Sequence, residues 1–125
     1  MLGWNISVFT QADGGSSPAR NDSKEGTRLA VWQTGLSGLS WIDDLVNDGH
    51  AHNLGGIGYP NRYTAQAKYL IPRIAAGPPD AHAVWASSPE DILGPKWEGK
   101  TMIDRAVMNR CTADEWLVVV AWDES

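Results

Sequence analysis

Two histidines one residue apart, His50 and His52 in Asp48-Gly49-His50-Ala51-His52-Asn53, are the first candidates for chemistry in this chain. In extended backbone, residues two apart project to the same side, so both imidazoles could turn to one metal ion. Asp48 or His82 would supply a third ligand, and a metal-bound water would then act as the nucleophile of a small hydrolase. No further ligands stand at a diagnostic spacing. His50 also directly follows a predicted helix end, where the helix dipole favours a cation without any metal. The hydrolase is therefore the alternative reading.

Other sites for chemistry fare less well. Gly55-Gly56-Ile57-Gly58-Tyr59-Pro60 is rich enough in glycine to let backbone amides approach an anion. A phosphate loop needs a helix N-terminus after it, however, and here Pro60 and a strand-like segment follow. Gly35-Leu36-Ser37-Gly38-Leu39 lacks the second glycine of a nucleophile elbow. Cys111, the single cysteine, falls on a predicted helix stripe and reads as a small buried hydrophobe. The acidic pairs Asp43-Asp44 and Asp114-Glu115 are sequence neighbours, which point apart on a helix or a strand, so neither makes a carboxylate dyad. No motif calls for a cofactor, and none is expected.

The residues suited to binding are more numerous. Tyr59, Asn61, Arg62 and Tyr63 bring aromatic, amide and guanidinium groups onto one short segment, and Arg20 and Lys24 lie in a long polar stretch. Interfaces commonly rest on a few such Trp, Tyr and Arg anchors, with charged rims steering the approach. Seven Trp against one Phe add large amphipathic side chains along the whole chain. The leading expectation is a small non-catalytic module that binds another protein, as an adaptor or inhibitor. A third possibility is sugar binding on Trp faces, which requires a solvent-accessible Trp.

Composition narrows the partner. Among 125 residues, 10 are basic and 15 acidic, giving a net charge of −5, and neither half of the chain is basic. Binding to duplex nucleic acid, which neutralises phosphates with clustered Lys and Arg, is not expected. One cysteine excludes an internal disulfide. No stretch approaches the roughly 18 apolar residues of a membrane span, and Met1-Leu2-Gly3-Trp4 shows no signal-peptide pattern. The expected location is the cytoplasm.

The elements that must position these groups can be read from periodicity. Trp4 to Thr10 alternates and is β-branched, giving a strand with Trp4, Ile6 and Val8 on one face. Gln11 to Thr27 collects Gly, Ser, Pro, Asn and Asp, and is predicted to be a long mobile loop; such loops are either functional or disordered. Arg28 to Thr34 is the antiparallel mate of the first strand. Ser40 and Asp43 resemble a capping box opening a helix with Trp41, Ile42, Leu45 and Val46 on its apolar face, and Gly49 supplies a left-handed cap.

His50 to Asn61 is predicted to be a connection. Arg62 to Ala67 has period two and reads as a strand, followed by a short helix from Lys68 with Pro72 in its first turn. Ala81 to Ser87 is predicted as a strand, Ser88 onward as a short helix, and Thr101 to Cys111 as a longer helix. The chain's last stretch, Trp116-Leu117-Val118-Val119-Val120-Ala121-Trp122 between acidic pairs, is predicted to be a strand buried on both faces. The sum is a single α+β domain over 1–125, with about five mostly antiparallel strands in a mixed sheet and three or four short helices.

Overall fold

The computed structural model describes residues 3–20, 22–35, 38–56, 60–75 and 102–123. Within them the chain forms β1 (Trp4–Gln11), β2 (Glu25–Thr34), α1 (Ser40–Asn47), β3 (Ala51–Gly55), β4 (Asn61–Gln66), α2 (Ala67–Ala75), β5 (Met102–Ile103), α3 (Arg105–Arg110) and β6 (Trp116–Asp123). The six strands make one sheet in the order β3-β4-β6-β1-β2-β5, and every pairing in it is antiparallel. The architecture is mixed α+β and mostly sheet.

The last strand lies at the sheet's centre, between β1 and β4. Its residues Leu117 to Ala121 are all buried because both faces are covered. Leu117, Val119 and Ala121 point to the helical side and join Ile6, Val8, Trp32, Tyr63 and Ala65 in the main core. All three helices add to that core: Trp41, Ile42 and Leu45 from α1, Ala67, Leu70 and Ile74 from α2, Val107 and Met108 from α3. Val118 and Val120 point the other way and pack with Ala19, Phe9 and Leu54 in a smaller cluster. Burying each Val or Leu side chain of this strand contributes about 1.5–3 kcal/mol, which makes β6 the chief apolar anchor of the sheet.

The end of α1 follows the predicted chemistry. Gly49 has φ +81, its N–H donates to Val46 O at 3.1 Å, and the His50 N–H reaches back to Leu45 O at 2.8 Å. This is the paired bonding of a Schellman cap, which needs a left-handed residue at Gly49. The start of α1 differs from the expectation. Leu39 occupies the cap position in helical conformation and no side chain caps the helix, so Ser40 is its first residue.

Other boundaries also shift. Two strands are added to those expected. Ala51–Gly55, predicted as part of a connection, pairs with β4, and Met102–Ile103, predicted as helix, pairs with Ala30 and Val31 of β2. The helix after them starts only at Arg105, because the Asp104 side chain accepts the Val107 N–H and fixes the cap there. Its buried residues are therefore Val107 and Met108, while Ala106 is exposed. Helix α2 begins at Ala67, earlier than predicted. The N–H groups of Ala67 and Lys68 donate to Glu115 O (2.8 Å) and Ala113 O (3.0 Å), so the turn before β6 caps the helix. Pro72 consequently lies past the first turn. The predicted strand over 81–87 and the short helix from Ser88 lie outside the described residues.

A candidate binding site on the loop-bearing face of the sheet

Between β1 and β2 the chain leaves the sheet at Gln11 and returns at Glu25, which pair with each other. The stretch predicted as a loop over 11–27 thus narrows to 12–24. Its ends are closed by the Ala12 N–H donating to Lys24 O at 3.0 Å. A surface loop of this length with joined ends is an Ω-loop, a form often used for function.

The loop is seated on the sheet at four places. The Trp116 N–H donates to Gly15 O at 2.8 Å. Gln11 Nε2 donates to Ser17 O (2.8 Å) and to Trp116 O (3.2 Å). The Ala19 N–H donates to Thr64 Oγ1 at 3.1 Å, and Ala19 itself is buried. Arg62 Nη1 donates to Ser23 O at 3.2 Å while its Nη2 pairs with Glu25 Oε1 at 3.2 Å. Glycine is required at position 15 by close approach, since a Cβ there would lie 2.9 Å from Trp116 O.

Seated in this way, the loop encloses a polar cleft of about 530 Å³ lined by residues including Asp13, Ser16, Ser17, Arg20, Asp22, Ser23 and Lys24. Arg20 and Lys24 are exposed, and among the described residues neither is in an ion pair. On the far side of Gly14 to Ser16 a second recess, about 380 Å³, is bounded by Thr112, Asp114 and Glu115. The rim therefore carries both signs of charge.

The predicted anchors fall in different places. Arg20 and Lys24 line the cleft, and Arg62 holds the loop from beneath. Asn61 begins β4 and is half-buried. Tyr63 lies on the helical face, 2% exposed, with its hydroxyl donating to Asp43 Oδ1 at 3.5 Å. It is part of the core and not available to a partner. Burial, reinforced by the neighbouring Asp43 carboxylate, pushes its phenol up to about 12. Tyr59 lies outside the described residues. What the sequence reading missed is the seat: Thr64, Gly15 and Trp116 carry no signal of a site, and only strand register brings them under the loop.

The histidines are occupied separately. His50 stacks on Tyr69 of α2 with ring centroids 4.2 Å apart, and His52 stacks on Trp116 at 5.7 Å. Lys68 sits over the other partner of the first pair, 5.4 Å from the Tyr69 ring centre, and bonds Asp114 at 3.3 Å. Among the described residues no three His, Cys, Asp or Glu side chains gather as a metal site, and His82 lies outside them. Cys111 follows the end of α3, its thiol donating to Val107 O at 3.4 Å. Burial and then Glu115 raise the thiol, against the smaller opposing effect of Arg110, which leaves it a poor nucleophile.

Comparison with protein-family models, curated proteins and solved structures gives no match. Among the described residues, no helix is long and apolar enough to cross a membrane.

Proposed function

We propose that this chain is a non-catalytic protein-binding module, of adaptor or inhibitor type, that meets its partner with the 12–24 loop. The observation that carries the reading is the loop's construction. It is mostly polar and exposed, yet the Gly15 and Ser23 carbonyls, which accept from Trp116 and Arg62, and the Ala19 N–H, which donates to Thr64, fix it to the central strands. A surface held ready in this way loses less entropy on binding than a free loop would. Arg20 and Lys24 provide the anchoring charges, Asp13, Asp22, Asp114 and Glu115 the opposing ones. The separate stacking of His50 and His52 makes the hydrolase the weaker account.

The test is a pull-down from native cells with the tagged chain and with a variant whose residues 13–23 are replaced by a short Gly-Ser turn. Gln11 and Glu25 are kept because they pair in the sheet. A stoichiometric partner lost only from the variant supports the module. A partner retained by both places the interface elsewhere.

One observation favours a second reading, sugar binding. Trp122 is 47% exposed and lies in a cross-strand row with Asn5 and Gln33 on the loop-bearing face. An aromatic ring beside amide side chains can stack on a pyranose while the amides bond its hydroxyls. Titration of Trp fluorescence with neutral oligosaccharides, compared with Trp122→Ala, decides it: no saturable change removes this reading.

A further inference from the structure

The chain contains two aspartate-glycine pairs, Asp13-Gly14 and Asp48-Gly49. In such a pair the glycine nitrogen meets no side chain of its own residue as it approaches the aspartate carboxyl, so ring closure is sterically open. We propose that Asp13 is a site of spontaneous isomerisation to isoaspartate in the folded protein, and that Asp48 is protected by the fold.

The step needs only water. The Gly14 nitrogen bonds to Cγ of the protonated Asp13 carboxyl; its proton and the carboxyl hydroxyl leave as water, closing a five-membered succinimide. Water then opens the ring. Attack at Cγ restores aspartate, and attack at the main-chain carbonyl leaves isoaspartate, with the backbone running through Cβ and Cγ. Nothing is oxidised or reduced, and the final mass equals the starting mass.

The two sites differ in how the peptide after aspartate is held. Asp13 and Gly14 are exposed at the turn of the loop, a side chain at Gly14 would meet nothing within 4 Å, and its N–H makes a single 3.2 Å bond to Gln11 O. Asp48 closes α1 with φ −79 and ψ −6, and its own N–H bonds Asp44 O at 3.0 Å. The next two N–H groups, of Gly49 and His50, are both tied back to the helix, at 3.1 and 2.8 Å. Closing a ring at Asp48 therefore requires unwinding the end of the helix, whereas at Asp13 it requires opening one turn bond. Isoaspartate at position 13 adds a methylene to the main chain two residues before the Gly15 carbonyl that receives the Trp116 N–H, so it would unseat this part of the loop. Only that last consequence, as a loss of partner binding, rests on the proposed function.

The experiment is incubation of the full chain in mildly acidic buffer below its unfolding temperature, followed by peptide mapping with an aspartate-specific protease that does not cut at isoaspartate. A parallel sample is kept in denaturant, where both pairs are free. The expected result is isoaspartate accumulating several-fold faster at Asp13 than at Asp48 in the folded chain, with comparable rates at both in denaturant. Asp13→Glu, whose ring would be six-membered, abolishes the signal at position 13. Equal rates at both sites in the folded chain, or no isoaspartate at Asp13 while the denatured sample reacts, overturns the proposal. The mapping reads a covalent product, so its outcome is independent of whether a partner binds.

Discussion

The hydroxyl of Thr64 accepts the Ala19 N–H at 3.1 Å and donates to Leu117 O at 2.8 Å, so one buried side chain ties the loop to the middle of the sheet. Thr64→Val keeps the shape and removes the hydroxyl. The Ala19 N–H and Leu117 O then lose their shared partner, which costs about 1–3 kcal/mol for a buried group left unsatisfied. Denaturant unfolding measures that loss, and hydrogen exchange at Ala19 reports whether the loop lifts to reach water. Thr64→Ser should recover most of both. Unchanged exchange at Ala19 in the valine variant would show that the loop is held by its other contacts.

Arg62 and the cleft residues should separate stability from binding. The Arg62–Glu25 pair is partly exposed, with side-chain exposures of 24% and 35%, and exposed pairs contribute about 0–1 kcal/mol. Arg62→Ala is therefore expected to lower stability by no more than about 1 kcal/mol. It should weaken partner binding by a larger factor, because the Ser23 carbonyl loses its donor and the loop loosens. A melting curve and a binding isotherm for the same variant give the two numbers.

How much was legible in advance follows from which signals are local. The alternating stretches at Trp4 and Arg62, the strand-forming residues after Arg28, the continuous apolar run at Trp116 and the glycine ending α1 mark their elements by side-chain type alone, and each is found close to its predicted place. Strand β3 was hidden because Asn53 and Gly55 are poor strand formers; pairing with β4 makes it a strand. Strand β5 is too short for any periodicity. Alternation put Tyr63 with Ala65 and Ala67 and opposite to Arg62, but which set faced the core is decided by the helices, and this sent Tyr63 inward. Arg20 and Lys24 were readable as exposed cations, whereas the loop's seat on Thr64 and Trp116, made through Ala19 and Gly15, is a product of register between distant strands.

Tyr63 should give the protein an alkaline limit. Its phenol is held up to about 12 in the folded chain, against an ordinary value near 10 in the unfolded one. The neutral form is the one the fold favours, so this contribution is complete below about pH 10 and is lost as pH rises through about 12. Stability measured in denaturant should therefore fall over that window, and Tyr63→Phe should flatten the fall.

Gly49→Ala tests the cap of α1 without a packing change, since a Cβ there would meet nothing within 4 Å. The cost is conformational, about 1–2 kcal/mol for holding a residue with a side chain in left-handed geometry. Gly49→Asn should cost less, because asparagine tolerates that region. Chemical denaturation of the two variants checks the order.

The most direct test of the account is a quantitative pull-down comparing the wild-type chain with the Arg20→Ala, Lys24→Ala double variant. Both side chains are exposed on the cleft and among the described residues are in no ion pair, so the double variant should unfold at the wild-type midpoint. The account predicts a stoichiometric protein partner that is captured by the wild type and lost by this equally stable variant. Full retention of the partner by the double variant, or capture of nothing by the wild type, would contradict it.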